Sequence, residues 1–484
     1  MRKKVNMYLM CIGMLFSIYA LSNCSDSDKD NLTGIKISQG DITINVGETL
    51  QLDTEITPEG VSVSNITWYT SDVAIATVSK DGKVTGIGIG DVVIIARTSS
   101  GFQGSITATV RDKREEIATT YSGKAKIGSN TSGIETINLE FLAQKEQFNI
   151  QFKININGLE YNVSGENITV SEKEDGSYEL FGNVMDKNQG KGTIAGTISE
   201  NGVMDVTIEL NNTSILFNGR KPYTHTAMSF NVYYTVKPGD IADWDYRKAA
   251  IVSMIKKEKP TTIGMQEVRK NPQLNYFDAE LTDYARIGIG RDGGEAGDYS
   301  AIYYRKDILE VIETGDFWMS ETPDVPSIGW DASHRRLTTW GRFKVIGTGT
   351  EVLIYNTHLD HNGVIAVEES IKMMKEHALT HLTTSTKSVL MTGDFNEESF
   401  STAFAPFNGF LGDCREDSPK TDRTATTNSW GNFTGKEESL DHVFYRNCIP
   451  VRFKVLNDSY AGIEILSDHY PIKAVLEIPA WDEN

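Results

Sequence analysis

The chain has 484 residues, and 47 Lys+Arg stand against 66 Asp+Glu for a formal net charge of −19. Hydrophobic residues make up 39 %, with 42 Gly and 12 Pro, so the chain can build real cores and is neither collagen-like nor low-complexity. This acidity excludes a protein that coats nucleic acid through a broad basic face but leaves room for a local phosphate site, and at about 150 residues per domain the length suggests roughly three domains.

Residues 1–23 read as an export signal, because Arg2, Lys3 and Lys4 precede an apolar run from Val5 to Leu21. The run ends in Leu21-Ser22-Asn23-Cys24, which resembles a bacterial lipobox, although Asn23 stands where a small Gly or Ala is usual. Residues 24–31 form a polar, acidic tether. The resemblance implies a lipid on Cys24 as the only membrane attachment, and an exported lipoprotein of the outer membrane facing the periplasm or the cell surface. A plain cleaved signal and an uncleaved anchor helix are the alternatives. Beyond this segment no apolar run approaches the ~18 residues of a spanning helix. Of four cysteines, Cys414 and Cys448 would remain in the folded region, as a disulfide or as two buried thiols.

Residues 32–112 show short alternating strands at Ile35–Ile37, Thr43–Val46, Val92–Ala96 and Ser105–Val110, separated by Gly and Asp turns, which predicts a β-sandwich. With Trp68, Ser71, Ala74, Ala76-Thr77-Val78, Asp81-Gly82, Val84, Gly86 and Gly90, the segment resembles the bacterial immunoglobulin-like group 2 module, which implies a spacer or an adhesion domain. Residues 113–224 continue the period of two. Phe148, Ile150, Phe152, Ile154 and Ile156 share one face, as do Met204, Val206, Ile208 and Leu210. Five punctuating glycines and the lack of a useful helical stretch predict an antiparallel barrel or sandwich, which resembles lipocalin-like modules.

Residues 225–480 change character. The apolar spacing predicts a helix from Tyr246 to Lys259 before Pro260, a strand from Thr261 to Met265, a second helix over Val367–Leu382 and a last strand through Ile472 and Ile478. Strands mixed with covering helices predict a layered α/β domain. Polar residues follow its apolar strands, where a buried sheet delivers them into one cleft. They are Ser229-Phe230-Asn231, Gln266-Glu267-Val268, Asn356-Thr357-His358-Leu359, Gly393-Asp394-Phe395-Asn396, Leu440-Asp441-His442-Val443-Phe444 and Ser467-Asp468-His469-Tyr470-Pro471. As an ordered set they resemble the endonuclease/exonuclease/phosphatase superfamily of deoxyribonuclease I-like hydrolases.

That resemblance implies a four-layer α/β sandwich and a phosphoester hydrolase that uses Mg²⁺ or Mn²⁺. Glu267, Asn231 and Asp468 are the expected metal residues, because hard cations take oxygen ligands. Asp394 is expected to orient or deprotonate the attacking water, and Asn396 to donate to a phosphoryl oxygen. His469, held cationic by Asp441, and His358, partnered by Asp298 where relatives usually carry Glu, are expected to bind phosphate from two sides. Arg336 and Arg342 either steer the anion or form surface ion pairs. Trp318, Trp330, Trp340, Tyr303 and Tyr304 suit core packing or base stacking, and Gly288–Gly294 is expected to be a loop near the cleft. The substrate is a phosphorylated small molecule, a lipid headgroup or nucleic acid; no protein partner is deducible. The rival reading is a surface binding or adhesion protein with a vestigial hydrolase domain.

Overall fold

The computed structural model describes residues 32–58, 65–143, 145–211, 213–234 and 241–479. The export signal, Cys24 and the tether lie outside the described residues. The chain divides into two units at residue 115.

The first unit is all β, with a four-stranded sheet, a three-stranded sheet and a two-stranded pair. Their inward residues, among them Ile37, Ile44, Val84, Ile94, Ala96 and Val110, form one core. The Trp68 and Gly82 pattern has a steric cause: a Cβ on Gly82 would lie 2.8 Å from the Trp68 ring, and its φ of +84° suits glycine.

The second unit begins with a closed barrel of eight antiparallel strands from Thr120–Ile127 to Thr213–Arg220, so of the two all-β forms expected here the barrel is found. Its interior is packed with Tyr121, Phe148, Phe152, Leu180, Met204, Phe217 and other apolar side chains. Alternation along each strand points every second residue inward, and closure removes the exposed sheet edges.

The remainder is two six-stranded sheets. The first runs in the order Tyr284–Ile287, Tyr299–Arg305, Thr262–Val268, Tyr223–Asn231, Ile472–Ile478 and Ile449–Val455. The second runs Leu309–Trp318, Leu337–Val345, Glu351–His358, Ser388–Asp394, Asp441–Arg446 and Gly412–Asp413. Their facing sides share Ala227, Ile302, Phe343, Ile354, Leu390, Val443 and Ala474. The helix Trp244–Glu258 packs on the outer side of the first sheet and Val364–His381 on that of the second, which makes four layers. The first helix starts at Asp243, whose carboxylate accepts from the Asp245 N–H, and stops where Lys259 turns left-handed before Pro260. Trp318, Trp340 and Tyr303 are buried, which makes them core residues. Cys414 and Cys448 are buried free thiols. No helix among the described residues is long and apolar enough to cross a membrane.

His225 is fully buried on Tyr223–Asn231, with Nε2 2.8 Å from Thr262 Oγ1 and no partner for Nδ1. Burial drives its pKa down to about 3. It folds neutral, so between its unfolded value near 6.5 and about 3 the unfolded chain binds more protons and stability falls as pH drops. His225→Leu is expected to flatten that acid limb by up to about 1.4 kcal/mol per pH unit in urea melts. Identical slopes in the two proteins would refute this.

Candidate active site

Register assembles one wall. On parallel strands His358 lies opposite Asp394, and on the antiparallel neighbour Asp394 lies opposite Asp441, so three functional groups occupy adjacent positions at one end of the second sheet. At the matching end of the first sheet Asn231 pairs with Gln266, one residue before Glu267. Asn356 pins the sheets together: its Nδ2 donates to Met265 O and Ala301 O at 3.0 Å, and its Oδ1 accepts from Gln266 Nε2 at 2.7 Å. A Cβ on Gly264 would strike Thr392 Oγ1 at 2.2 Å and Asn356 Oδ1 at 2.3 Å, so this close approach requires glycine.

Asp394 is the focus. Its Oδ2 accepts from Asn231 Nδ2 at 2.9 Å and lies 3.7 Å from His358 Nε2 and 3.8 Å from His469 Nε2. Its Oδ1 accepts from the Asn396 N–H at 3.0 Å. His469 Nδ1 is 2.7 Å from Asp441 Oδ2. Burial opposes charge on His469, but Asp441, Asp394 and Asp468 outweigh it and hold the imidazolium well above the ordinary histidine range. His358 shifts the other way: burial, then the charges of Arg336, His469 and Arg291, keep it neutral. The two imidazoles therefore flank one carboxylate in opposite protonation states. Asn396 adopts φ 52° and donates from Nδ2 to Leu359 O at 2.9 Å, which leaves one amide proton for another acceptor.

Glu267 closes the other side, also at a left-handed φ of 53°, strain of the kind stored at functional sites. Its Oε1 accepts from Asn231 Nδ2 at 3.2 Å, and its Oε2 is buried with no partner. Burial first, then the charges of Asp468 and Asp394, push its pKa up to about 7. An orphaned carboxylate oxygen among like charges is what a divalent cation satisfies, so Glu267 fits a metal, with Asp468 and the Asn231 amide beside it. Asp394, Asp441 and His469 also bring ligand atoms within 4.8 Å of one another. There, however, the His469 Nδ1 proton is already committed to Asp441, and the surrounding carboxylates, against the effect of burial, favour imidazolium over a metal-binding neutral ring.

Two expectations need correction. Asp298 does not partner His358; it bridges Arg269 Nε at 2.7 Å and Arg291 Nη2 at 2.8 Å. One methylene shorter than Glu, it stops at the guanidiniums. Arg342 is not in the cleft: it lies five residues along the strand from His358, opposite Leu353, and pairs with Glu313. Arg336 is beside the site but buried, bonded through Nε to Asp360 Oδ2 at 3.2 Å.

Sequence reasoning missed Asp360 and Arg247. Asp360 accepts from the backbone N–H groups of Ser333, His334, Asn362 and Gly363 as well as from Arg336, and these donors outweigh burial and hold its carboxyl low. It follows His358 by two residues, so the rule of polar residues after apolar strands would have found it. Arg247 offered no signal, because one arginine on an amphipathic helix reads as a solvated side chain. In the fold it is buried and donates to Val232 O, Leu466 O, Ala242 O and Tyr233 O, which sets the loops that carry Asn231 and Asp468.

Residues 228–469 match the model of the Endonuclease/Exonuclease/phosphatase family, and residues 31–110 that of the bacterial Ig-like domain, group 2. An endonuclease/exonuclease/phosphatase of known structure from Bacteroides vulgatus is 30 % identical, with 53 % of this chain and 99 % of that one covered and a TM-score of 0.50. A mannosyl-6-phosphatase from Bacteroides thetaiotaomicron VPI-5482 is 34 % identical, covers 52 % of this chain and 99 % of its own, and gives a TM-score of 0.49. An uncharacterized protein of Acanthamoeba polyphaga mimivirus is 25 % identical over 261 residues, 48 % of this chain and 92 % of that one.

Proposed function

The chain belongs to the endonuclease/exonuclease/phosphatase family of hydrolases, and on that premise we propose that it hydrolyses phosphomonoester or phosphodiester bonds with Mg²⁺ or Mn²⁺ at Glu267, as an exported lipoprotein anchored through Cys24 with its β modules as spacers. The observation that carries the reading is the convergence on Asp394 Oδ2 of Asn231, His358 and His469 beside the unpartnered Glu267 oxygen. The family generally depends on a divalent metal, and when bound the ion neutralises charge on the phosphoryl group and its leaving oxygen.

The chain's own residues do the rest. Asp394 accepts the proton of the attacking water, helped by burial, which raises its proton affinity before the opposing charge of His469. His469, cationic through Asp441, donates to a phosphoryl oxygen as negative charge builds there, and Asn396 adds its remaining amide proton. Neutral His358 offers one N–H without competing for the cation. Asn231 holds Glu267 and Asp394 apart at one amide, so metal and water stay in register. Beside Asn396 lies a cavity of about 590 Å³ whose lining includes Glu397, Glu398 and Glu438.

The direct test is phosphate or alcohol release from bis-nitrophenyl phosphate, sugar phosphates, nucleotides, nucleic acid, sphingomyelin and phosphoinositides, with Mg²⁺ and with chelator. Turnover of at least one that stops with chelator is expected; no turnover on any, with Asp394→Ala indistinguishable, would instead favour the binding-protein reading. Glu267→Gln is expected to raise the Mg²⁺ needed for half-maximal thermal stabilisation at least about tenfold, a readout that requires no turnover. An unchanged Mg²⁺ titration would move the metal away from Glu267.

A further inference from the structure

The two flanks of the cleft differ in charge. The cavity beside Asn396 is lined by Glu397, Glu398 and Glu438. Away from that cavity Asp298 binds Arg269 and Arg291, and Asp292 takes Arg335 Nη1 at 3.0 Å, whereas Arg336, held by Asp360, contacts His361 of the cavity lining. Asp298 is the hub. It is buried, and each of its oxygens engages one guanidinium. Arg269 lies two residues after Glu267, with its guanidinium 4.3 Å from the centroid of the Tyr234 ring. Arg291 sits on the glycine-rich turn that the sequence marks at Gly288–Gly294, closed by the Arg291 N–H to Asp298 O and the Asp292 N–H to Ala296 O. Its carbonyl is fixed by Trp318 Nε1 at 2.7 Å. Because Arg269 follows Glu267 by two residues and shares Asp298 with Arg291, this pair lies on the Glu267 side of the site.

We propose that Arg269 and Arg291, preorganised by Asp298, form a second anion-binding subsite, and that the preferred substrates are phosphoesters whose departing group carries another phosphate or carboxylate. This rests on the phosphoesterase reading above. A guanidinium has five N–H donors in a fixed fork, and Asp298 takes one from each arginine, so both are held side by side with donors to spare. The acidic flank would repel a second anion on its side, which sets the direction in which the substrate lies. Asp298 itself touches no reacting atom; it is a positioning residue.

The test uses full-length protein carrying Asp394→Asn, so that binding is measured by calorimetry without turnover, in Mg²⁺, with a hexose bisphosphate and the matching hexose monophosphate. The bisphosphate is expected to bind about 10- to 100-fold tighter, the scale of one or two charge-assisted hydrogen bonds. Adding Arg291→Ala should remove most of that preference, and Arg291→Lys should restore part of it. In protein with Asp394 intact, Arg291→Ala should cost at least about tenfold more in kcat/KM for the bisphosphate than for p-nitrophenyl phosphate, chiefly through KM. Equal affinity for the two hexose phosphates overturns the subsite whether or not the variants fold, and so does an equal loss on both ligands in Arg291→Ala. If neither ligand is ever hydrolysed but the bisphosphate preference depends on Arg291, the subsite stands and the phosphoesterase reading falls.

Discussion

Asp394→Asn is expected to lower kcat by about 10²–10⁴-fold on any phosphoester the protein hydrolyses. The amide matches the carboxylate in shape but takes no proton from water. It also changes the polarity of the network: an NH₂ group in place of Oδ1 would face the Asn396 N–H, and in place of Oδ2 would face Asn231 Nδ2 and both histidines. KM should change less than kcat, because the proton is transferred in the transition state and not on binding. Steady-state kinetics on the best substrate of the panel checks this. A variant within about threefold of the unaltered protein would show that another group handles the water. Losing Asp394 also removes one of three acids that keep His469 charged, so whatever residual rate remains is expected to begin its alkaline fall at a lower pH.

The second large effect concerns stability. Arg247→Met keeps the length and apolar stem of the side chain but removes the Arg247 donors from the backbone carbonyls of Val232, Leu466, Ala242 and Tyr233, of which Tyr233 O keeps Gln273 Nε2. Breaking such a buried charged network costs about 3–5 kcal/mol. Burial lowers the guanidinium pKa only to about 10, so the charge persists at neutral pH and its bonds are charge-assisted. The loss should appear as an earlier urea transition of the second unit. Because Val232 follows Asn231 and Leu466 precedes Ser467-Asp468, the Mg²⁺ requirement should rise in the same variant. Arg247→Lys should recover only part, since an ammonium lacks the planar fork that reaches carbonyls on separate loops. A transition displaced by less than about 0.5 kcal/mol would mean that water satisfies those carbonyls as well.

Much of this molecule was legible in its residues. Period-two alternation at Phe148–Ile156 and Met204–Leu210 placed two barrel strands, because a strand buried on one face must alternate wherever it sits. The helices ended where Pro260 and the loss of apolar spacing near Leu382 stop an amphipathic stripe. Glu267, His358, Asp394, Asp441 and His469 each follow or open an apolar strand, so their convergence followed from strands being delivered in register to one edge. Asp360 obeys the same rule and was overlooked beside its neighbour His358.

Other features belong to contacts between segments far apart in the chain. The same alternation is compatible with a sandwich or a barrel, and only the pairing of Thr120–Ile127 with Thr213–Arg220 closes the sheet. Asp298 has the chemistry to hold an imidazole, but whether it meets His358 or two guanidiniums depends on where the turn at Gly288–Gly294 carries Arg291. Arg247 became a buried clamp because two loops more than 200 residues apart, at Val232 and Leu466, arrive at its fork. Local pattern therefore decided which side chains face a core or a sheet end, since that follows from backbone periodicity. Partner choice among equivalent charges was left to the tertiary fold, because hydrogen bonds need contact distances, Coulomb energies favour the nearest opposite charge, and those distances are set only by packing.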